Sequence, residues 1–146
     1  MKVKKIAIGC DHAGFPYKDS IVDLLIGRGI EIKDFGTHSA ESVDYPDFVH
    51  PVAEEVESGR AELGIVLCGS GNGVAMTANK HKGIRAAVSW SEEISRLARE
   101  HNDANVLAIP VRFVNDKEAL EMVNSFIGTD FEGGRHARRV KKISNC

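Results

Sequence analysis

The stretch "LGIVLCGSGNGVAM", residues 63–76, decides how the rest of the chain is read. It opens with a short apolar run that ends in glycine, which predicts a strand over 63–69 buried on both faces. Gly69, Gly71 and Gly73 then free the backbone of side chains, and a short helix is expected to open inside "GNGVAMTANK" (71–80). A buried strand feeding a helix through a glycine-rich turn is one unit of a parallel α/β sheet.

Four more units follow the same pattern. "KKIAIG" (4–9) reads as a buried strand, followed by a helix over 16–29 with Pro16 early, an apolar stripe of Tyr17, Ile21, Leu24 and Leu25, and Gly29 as its stop. "IEIKDFG" (30–36) alternates like a half-exposed strand, and Phe48, Val49, Val52, Ala53 and Val56 mark a second helix that ends at Gly59 despite Pro51. "RAAVS" (85–89) and "NVLAIP" (105–110) supply the remaining strands. Between them "SWSEE" carries a Ser-x-x-Glu cap ahead of Ile94, Leu97, Ala98 and His101. Asn115 with Glu118 repeats the cap before Ala119, Leu120, Val123, Phe126 and Ile127, and a basic helix over 134–143 closes the chain. The expected fold is a three-layer α/β/α open, mostly parallel five-stranded sheet of Rossmann-like type. With no linker, repeat or low-complexity stretch, residues 1–146 are expected to form one domain.

In such sheets a ligand sits at the carboxyl ends of the strands where the strand order reverses. "GCDHAG" (9–14), "LCGSGNG" (67–73) and "VSWS" (88–91) occupy those ends, so Asp11, His12, Cys68 and Ser70 are candidates to share one crevice. Two nucleotide loops are excluded: a GxGxxG loop needs glycine at Val74, and "GCDHAGFP" has Phe15 and Pro16 where a Walker loop needs Lys and Ser/Thr. What remains is a run of amides at a helix start, able to hold a phosphate or an oxyanion, or only a tight turn. Cys68, placed before that helix, is expected to have its thiol pKa lowered and to serve as base or nucleophile, unless it is a small buried hydrophobe, the role that suits Cys10. Asp11 and His12 either exchange protons with a ligand or cap a helix and meet solvent. Arg135 and Arg139 stand one turn apart, suited to one phosphate or to a solvated helix end.

Composition narrows the partners. A hydrophobic fraction of 42%, a charged fraction of 27% and a net charge of −2 give no bulk attraction to nucleic acid or to an anionic membrane. The apolar run after the first lysines is too short for a signal segment or a span, which leads to the expectation of a cytoplasmic protein. Cys10, Cys68 and Cys146 are odd in number and widely spaced, which suits reduced thiols and offers no zinc pattern.

Taken in order, "GCDHAGF" (9–15), "DYPD" (44–47), "LCGSGNG" (67–73), "ANKHKGIRA" (78–86), "REHNDANVLA" (99–108) and "EGGRHARR" (132–139) resemble the ribose-5-phosphate isomerase B family, which includes galactose-6-phosphate isomerase subunits. The resemblance runs over about residues 4–143. It implies interconversion of ribose 5-phosphate and ribulose 5-phosphate through a cis-enediolate, with no metal and no organic cofactor. Cys68 matches the family's base, the amides around Gly69, Ser70, Gly71 and Gly73 its enediolate cradle, and Asp11 a proton shuttle on the sugar oxygens, with Tyr45 lining the pocket. The resemblance further implies a homodimer, with pairing into tetramers left open. In it His101 opens the furanose ring and Asn102 contacts the sugar from the second subunit, while Arg135 and Arg139 hold the phosphate with His12 and Arg112. Some members use a glutamate after the third glycine. Here that position is Val74, which leaves Cys68 as the base, and Ser70 stands where the cysteine branch often has threonine. A hexose 6-phosphate isomerase acting on allose or galactose 6-phosphate, and a non-catalytic sugar-phosphate-binding regulator, are the alternative readings.

Overall fold

The computed structural model describes residues 2–145, so Cys146 lies outside the described residues. The chain runs β1 (Lys5–Cys10), α1 (Phe15–Gly27), β2 (Glu31–Asp34), α2 (Pro46–Glu57), β3 (Leu63–Cys68), α3 (Asn72–Ala78), β4 (Ala86–Val88), α4 (Glu92–Asn102), β5 (Val106–Pro110), α5 (Asp116–Gly128) and α6 (Arg135–Ile143). The strands form one sheet in the order β2-β1-β3-β5-β4, and every pairing is parallel. Helices α1, α4 and α5 cover one face and α2 with α3 the other, a three-layer α/β/α arrangement.

The central strands β1, β3 and β5 are buried almost throughout, while edge strand β2 alternates between exposed and half-buried, as their continuous and alternating sequences require. Side chains alternate faces along each strand. Ile6, Ile8, Ile65, Leu67, Leu107 and Ile109 point to the α1/α5 side, and the smaller Ala7, Val66 and Ala108 to the α2/α3 side. Gly9 and Gly64 lie on this second face. A Cβ at either would press within 3 Å of a Val52 methyl, so their lack of side chains lets α2 pack directly on the sheet.

Several elements differ in detail from the sequence expectation. Strand β2 is shorter than 30–36. Its continuation peels from the ladder to bond the end of β1, where Cys10 N–H donates to Gly36 O and Thr37 N–H to Cys10 O. Helix α2 runs unbroken through Pro51. The cap of α4 is Ser91, whose Oγ accepts from Ile94 N–H, and not Ser89. Ser89 is fully buried because its N–H extends the β4 ladder to Ala108 O. The inward face of α4 is also not the apolar stripe: Ser95, Ala98 and Arg99 are buried while Ile94 and Leu97 are half-buried. Ser95 Oγ donates to Met122 O, and the Arg99 guanidinium donates to Thr129 O and Ala104 O, so these polar groups are satisfied by backbone carbonyls. On α1, Lys18 is 2% exposed, its ammonium donating to Thr37 O at 2.7 Å and paired with Asp34 at 2.9 Å. The Asn115/Glu118 capping box of α5 forms in full. Among the described residues, no helix is long and apolar enough to cross a membrane.

Candidate active site

The chain leaves β1 toward β2 and leaves β3 in the opposite direction toward β4, so the strand order reverses between β1 and β3. A cleft of about 490 Å³ opens there, at the carboxyl ends of the strands. Cys68, the last residue of β3, reaches it with 6% exposure and a free thiol. The two cysteines follow the alternation of the sheet to opposite faces. Cys10 points into the α1 side, where its Sγ meets Thr37 O at 3.9 Å and burial pushes the thiol pKa up to about 11. Cys68 points to the α2/α3 side beneath the cleft. The thiol available for chemistry at this cleft is therefore Cys68.

The turn after Cys68 is built for close approach. Gly71 has φ +76° and caps α3 from the left-handed region that an L side chain rarely adopts. Gly73 lies directly under the ring of Tyr45, since a Cβ there would stand 2.6 Å from the tyrosine hydroxyl. Ser70 is exposed, and its Oγ accepts from Asn72 N–H at 3.3 Å. Val74 is fully buried in the core cluster under α2 and has no access to the cleft. Gly69 O accepts from Arg112 N–H at 3.1 Å, and the Arg112 guanidinium lies over the Gly69 backbone, placing a permanent cation at the mouth.

On the other wall, Asp11 is buried and its Oδ1 accepts from the Ala13 and Gly14 N–H groups at 2.9 and 3.0 Å, closing the turn into α1. It thus closes the turn into α1 and also lines the cleft, so the capping role does not remove it from the site. His12 Nδ1 accepts from Val43 N–H at 3.3 Å, which leaves Nε2 as the protonated nitrogen of its neutral ring. Asp11, His12, Tyr45, Cys68, Gly69, Ser70, Gly73 and Arg112 all line the one cleft. Ala13 and the 73% exposed Phe113 line it as well and escaped the sequence reading; the signal for Phe113 was a large apolar residue just past a strand end.

His101, Asn102, Arg135 and Arg139 are not brought to this cleft. Helix α4 carries the chain from the end of β4 back toward the start of β5, so its last residues lie by the amino ends of the strands. Asn102 lines a separate groove of about 580 Å³ with Arg85, Ala86, Ala104 and Ile143. Helix α6 packs beside α4, with Glu132 N–H donating to Glu100 O, and presents Arg135 and Arg139 as exposed side chains one turn apart. His136, between them in sequence, is buried against His101. Burial, then the charges of His101 and Arg135, hold its imidazole below the ordinary histidine range, while Glu132 opposes them.

His101, Glu132 and His136 bring one donor atom each within 4.8 Å of one another. The two imidazole planes are only 12° from parallel, however, so their in-plane lone pairs run side by side instead of converging as metal ligation requires.

Residues 6–143 match the family described as ribose/galactose isomerase. The chain is 46% identical over 142 residues to ribose-5-phosphate isomerase B of Escherichia coli, covering 97% of this chain and 95% of that protein. Its structure is similar to that of the Clostridium thermocellum ribose-5-phosphate isomerase B, with a TM-score of 0.95, 52% identity, and coverage of 97% and 95% of the two chains. It is also similar to the Mycoplasma genitalium ribose-5-phosphate isomerase B with bound ribulose-5-phosphate, with a TM-score of 0.93, 43% identity and coverage of 97% and 94%.

Proposed function

The chain belongs to the ribose/galactose isomerase family, and on that premise we propose that it interconverts ribose 5-phosphate and ribulose 5-phosphate with Cys68 as the base. The observation that carries the proposal is the position of Cys68. A single thiol stands at the end of β3, in the cleft where the strand order reverses, one turn ahead of a glycine-freed helix start, and the neighbouring position that could have held a carboxylate is buried Val74.

The thiolate takes the proton from C2 of the open aldose. Electron density moves onto the C1 oxygen to give a cis-enediolate, and the same proton returns to C1 to give the ketose. The amides of Gly69, Ser70, Gly71 and Gly73 receive the charge that develops on the sugar oxygen, and Asp11 passes a proton between O1 and O2. Tyr45 closes the wall over Gly73. Arg112 binds the phosphate as a permanent cation, and His12 donates its Nε2–H to it.

The pieces that lie elsewhere in one chain come from a second copy. In a homodimer His101 assists opening of the furanose ring, Asn102 contacts the sugar, and Arg135 and Arg139 complete the phosphate site. Residues 1–146 act as one catalytic domain, without metal or organic cofactor, in the cytoplasm. Incubation of the purified protein with ribose 5-phosphate and EDTA produces ketopentose phosphate. Binding without turnover would instead make it a sugar-phosphate-binding regulator, and faster turnover of allose or galactose 6-phosphate would move the assignment to a hexose.

A further inference from the structure

The ring of His101 lies in the last turn of α4, two residues before Asp103, which turns the chain through the left-handed region at φ 46°. Among the described residues, its side chain makes no hydrogen bond; its ring packs on that of His136, from the first turn of α6. The two rings stack with centroids 4.2 Å apart and planes 12° from parallel. Among the described residues, a Glu132 carboxylate oxygen also lies within 4.8 Å of a nitrogen of each ring.

His136 has no other evident task. It is 7% exposed, its Nε2 is buried without a hydrogen-bond partner, and the nearest carboxylate oxygen, on the mostly exposed Glu132, is 3.7 Å away. Leaving a buried polar atom unmatched costs stability, so its presence calls for a reason. Burial and the charges of His101, Arg135 and Arg139 keep this ring neutral near neutral pH, so it offers His101 a flat π-face without charge repulsion.

We propose that His136 is a positioning residue, whose ring holds the His101 imidazole in the orientation that reaches the sugar bound by the second copy. The inference rests on the assignment of furanose opening to His101. Without the stack, χ1 of His101 is free between the two staggered wells that the helix leaves open and χ2 between about two orientations, so roughly one quarter of the molecules are productive at any moment.

Two variants and one spectrum test it. His136→Ala lowers kcat about fourfold and leaves KM within about twofold, whereas His136→Phe, which keeps a flat ring and lacks the nitrogens, stays within about twofold of the parent. A rise in KM without a fall in kcat would mean that His136 acts by placing Arg135 and Arg139, and equal loss in both variants would mean that its nitrogens act directly; either overturns the proposal. In NMR spectra the His101 Hε1 resonance moves downfield in His136→Ala, as the ring current of the stacked neighbour is lost, and stays shielded in His136→Phe. An unmoved resonance would refute the stack even if the isomerase reading stands. A moved resonance together with full kcat in His101→Ala would confirm the stack and refute the role of His101 on which the proposal depends.

Discussion

Replacing Gly71 with alanine probes the turn between β3 and α3, and the structure supplies both parts of the cost. At φ +76° an L-residue loses roughly 1–2 kcal/mol to clash between Cβ and its own backbone. The added methyl would also stand 3.2 Å from Val88 Cγ1 and 3.3 Å from the Pro110 backbone nitrogen, which is anchored in the sheet and cannot yield, adding about 1 kcal/mol or more of overpacking. A total of about 2–3 kcal/mol corresponds to a fall in Tm of roughly 5–12 °C for a chain of this size. Gly27 is the matched control. It is the last residue of α1 and has open space around it, so Gly27→Ala stabilises by about 0.5 kcal/mol. Scanning calorimetry and urea unfolding measure both, and equal urea m-values confirm that the native state is being compared. The activity of Gly71→Ala falls beyond what the remaining folded fraction explains, because the amides of the cradle are re-aimed. A Gly71→Ala protein with the parent Tm and activity would refute the turn geometry on which the cradle depends.

Other consequences are equally accessible. Glu55 is held below the usual carboxylate range, chiefly by its hydrogen bond with Arg60 and then by Lys5, against the opposing effect of burial. A lowered folded pKa stabilises the protein above the ordinary glutamate value of about 4.3 and the benefit is lost as pH falls through the folded value. Glu55→Gln is therefore less stable than the parent near pH 7, and the two converge as pH falls through the lowered folded value; a pH-independent gap would show that Glu55 acts through packing. Iodoacetamide near pH 8 labels Cys68 and spares Cys10 in the folded protein, because burial raises the Cys10 thiol to about 11; peptide mapping that finds Cys10 labelled as fast as Cys68 would contradict this. Mixing Cys68→Ala with His101→Ala subunits restores activity, to about a quarter of the parent's if exchange is random, since half the dimers are hybrids and each carries one intact site. No recovery after verified exchange would favour a site made within one chain.

The sheet was legible because its central strands are unbroken apolar runs, and the rule that ligands sit where strand order reverses picked out Asp11, His12, Cys68 and Ser70. The errors cluster where a polar group is buried with a partner that pattern cannot reveal. Lys18, outside the apolar stripe read for α1, is sealed by Asp34 and Thr37, and Ser95 and Arg99 turn the inward face of α4 because backbone carbonyls from α5 and its flanks receive them. Ser89 carried the capping pattern, but the ladder to β5 claimed its backbone first. Within the cleft, Tyr45 and Arg112 were reached by family resemblance, because their approach to Gly73 and Gly69 is made by tertiary packing between elements distant in sequence. The stack of His136 on His101 has no sequence signal, because the residues sit 35 positions apart on different helices.

The most direct test of proton transfer by Cys68 follows the label in ribose 5-phosphate carrying deuterium at C2. In the parent protein deuterium leaves C2 as ribulose 5-phosphate forms. In Cys68→Ala both label loss and ketose formation fall at least about 100-fold, while affinity for the phosphate ester is retained. Loss of deuterium at the parent rate in Cys68→Ala would show that another group is the base.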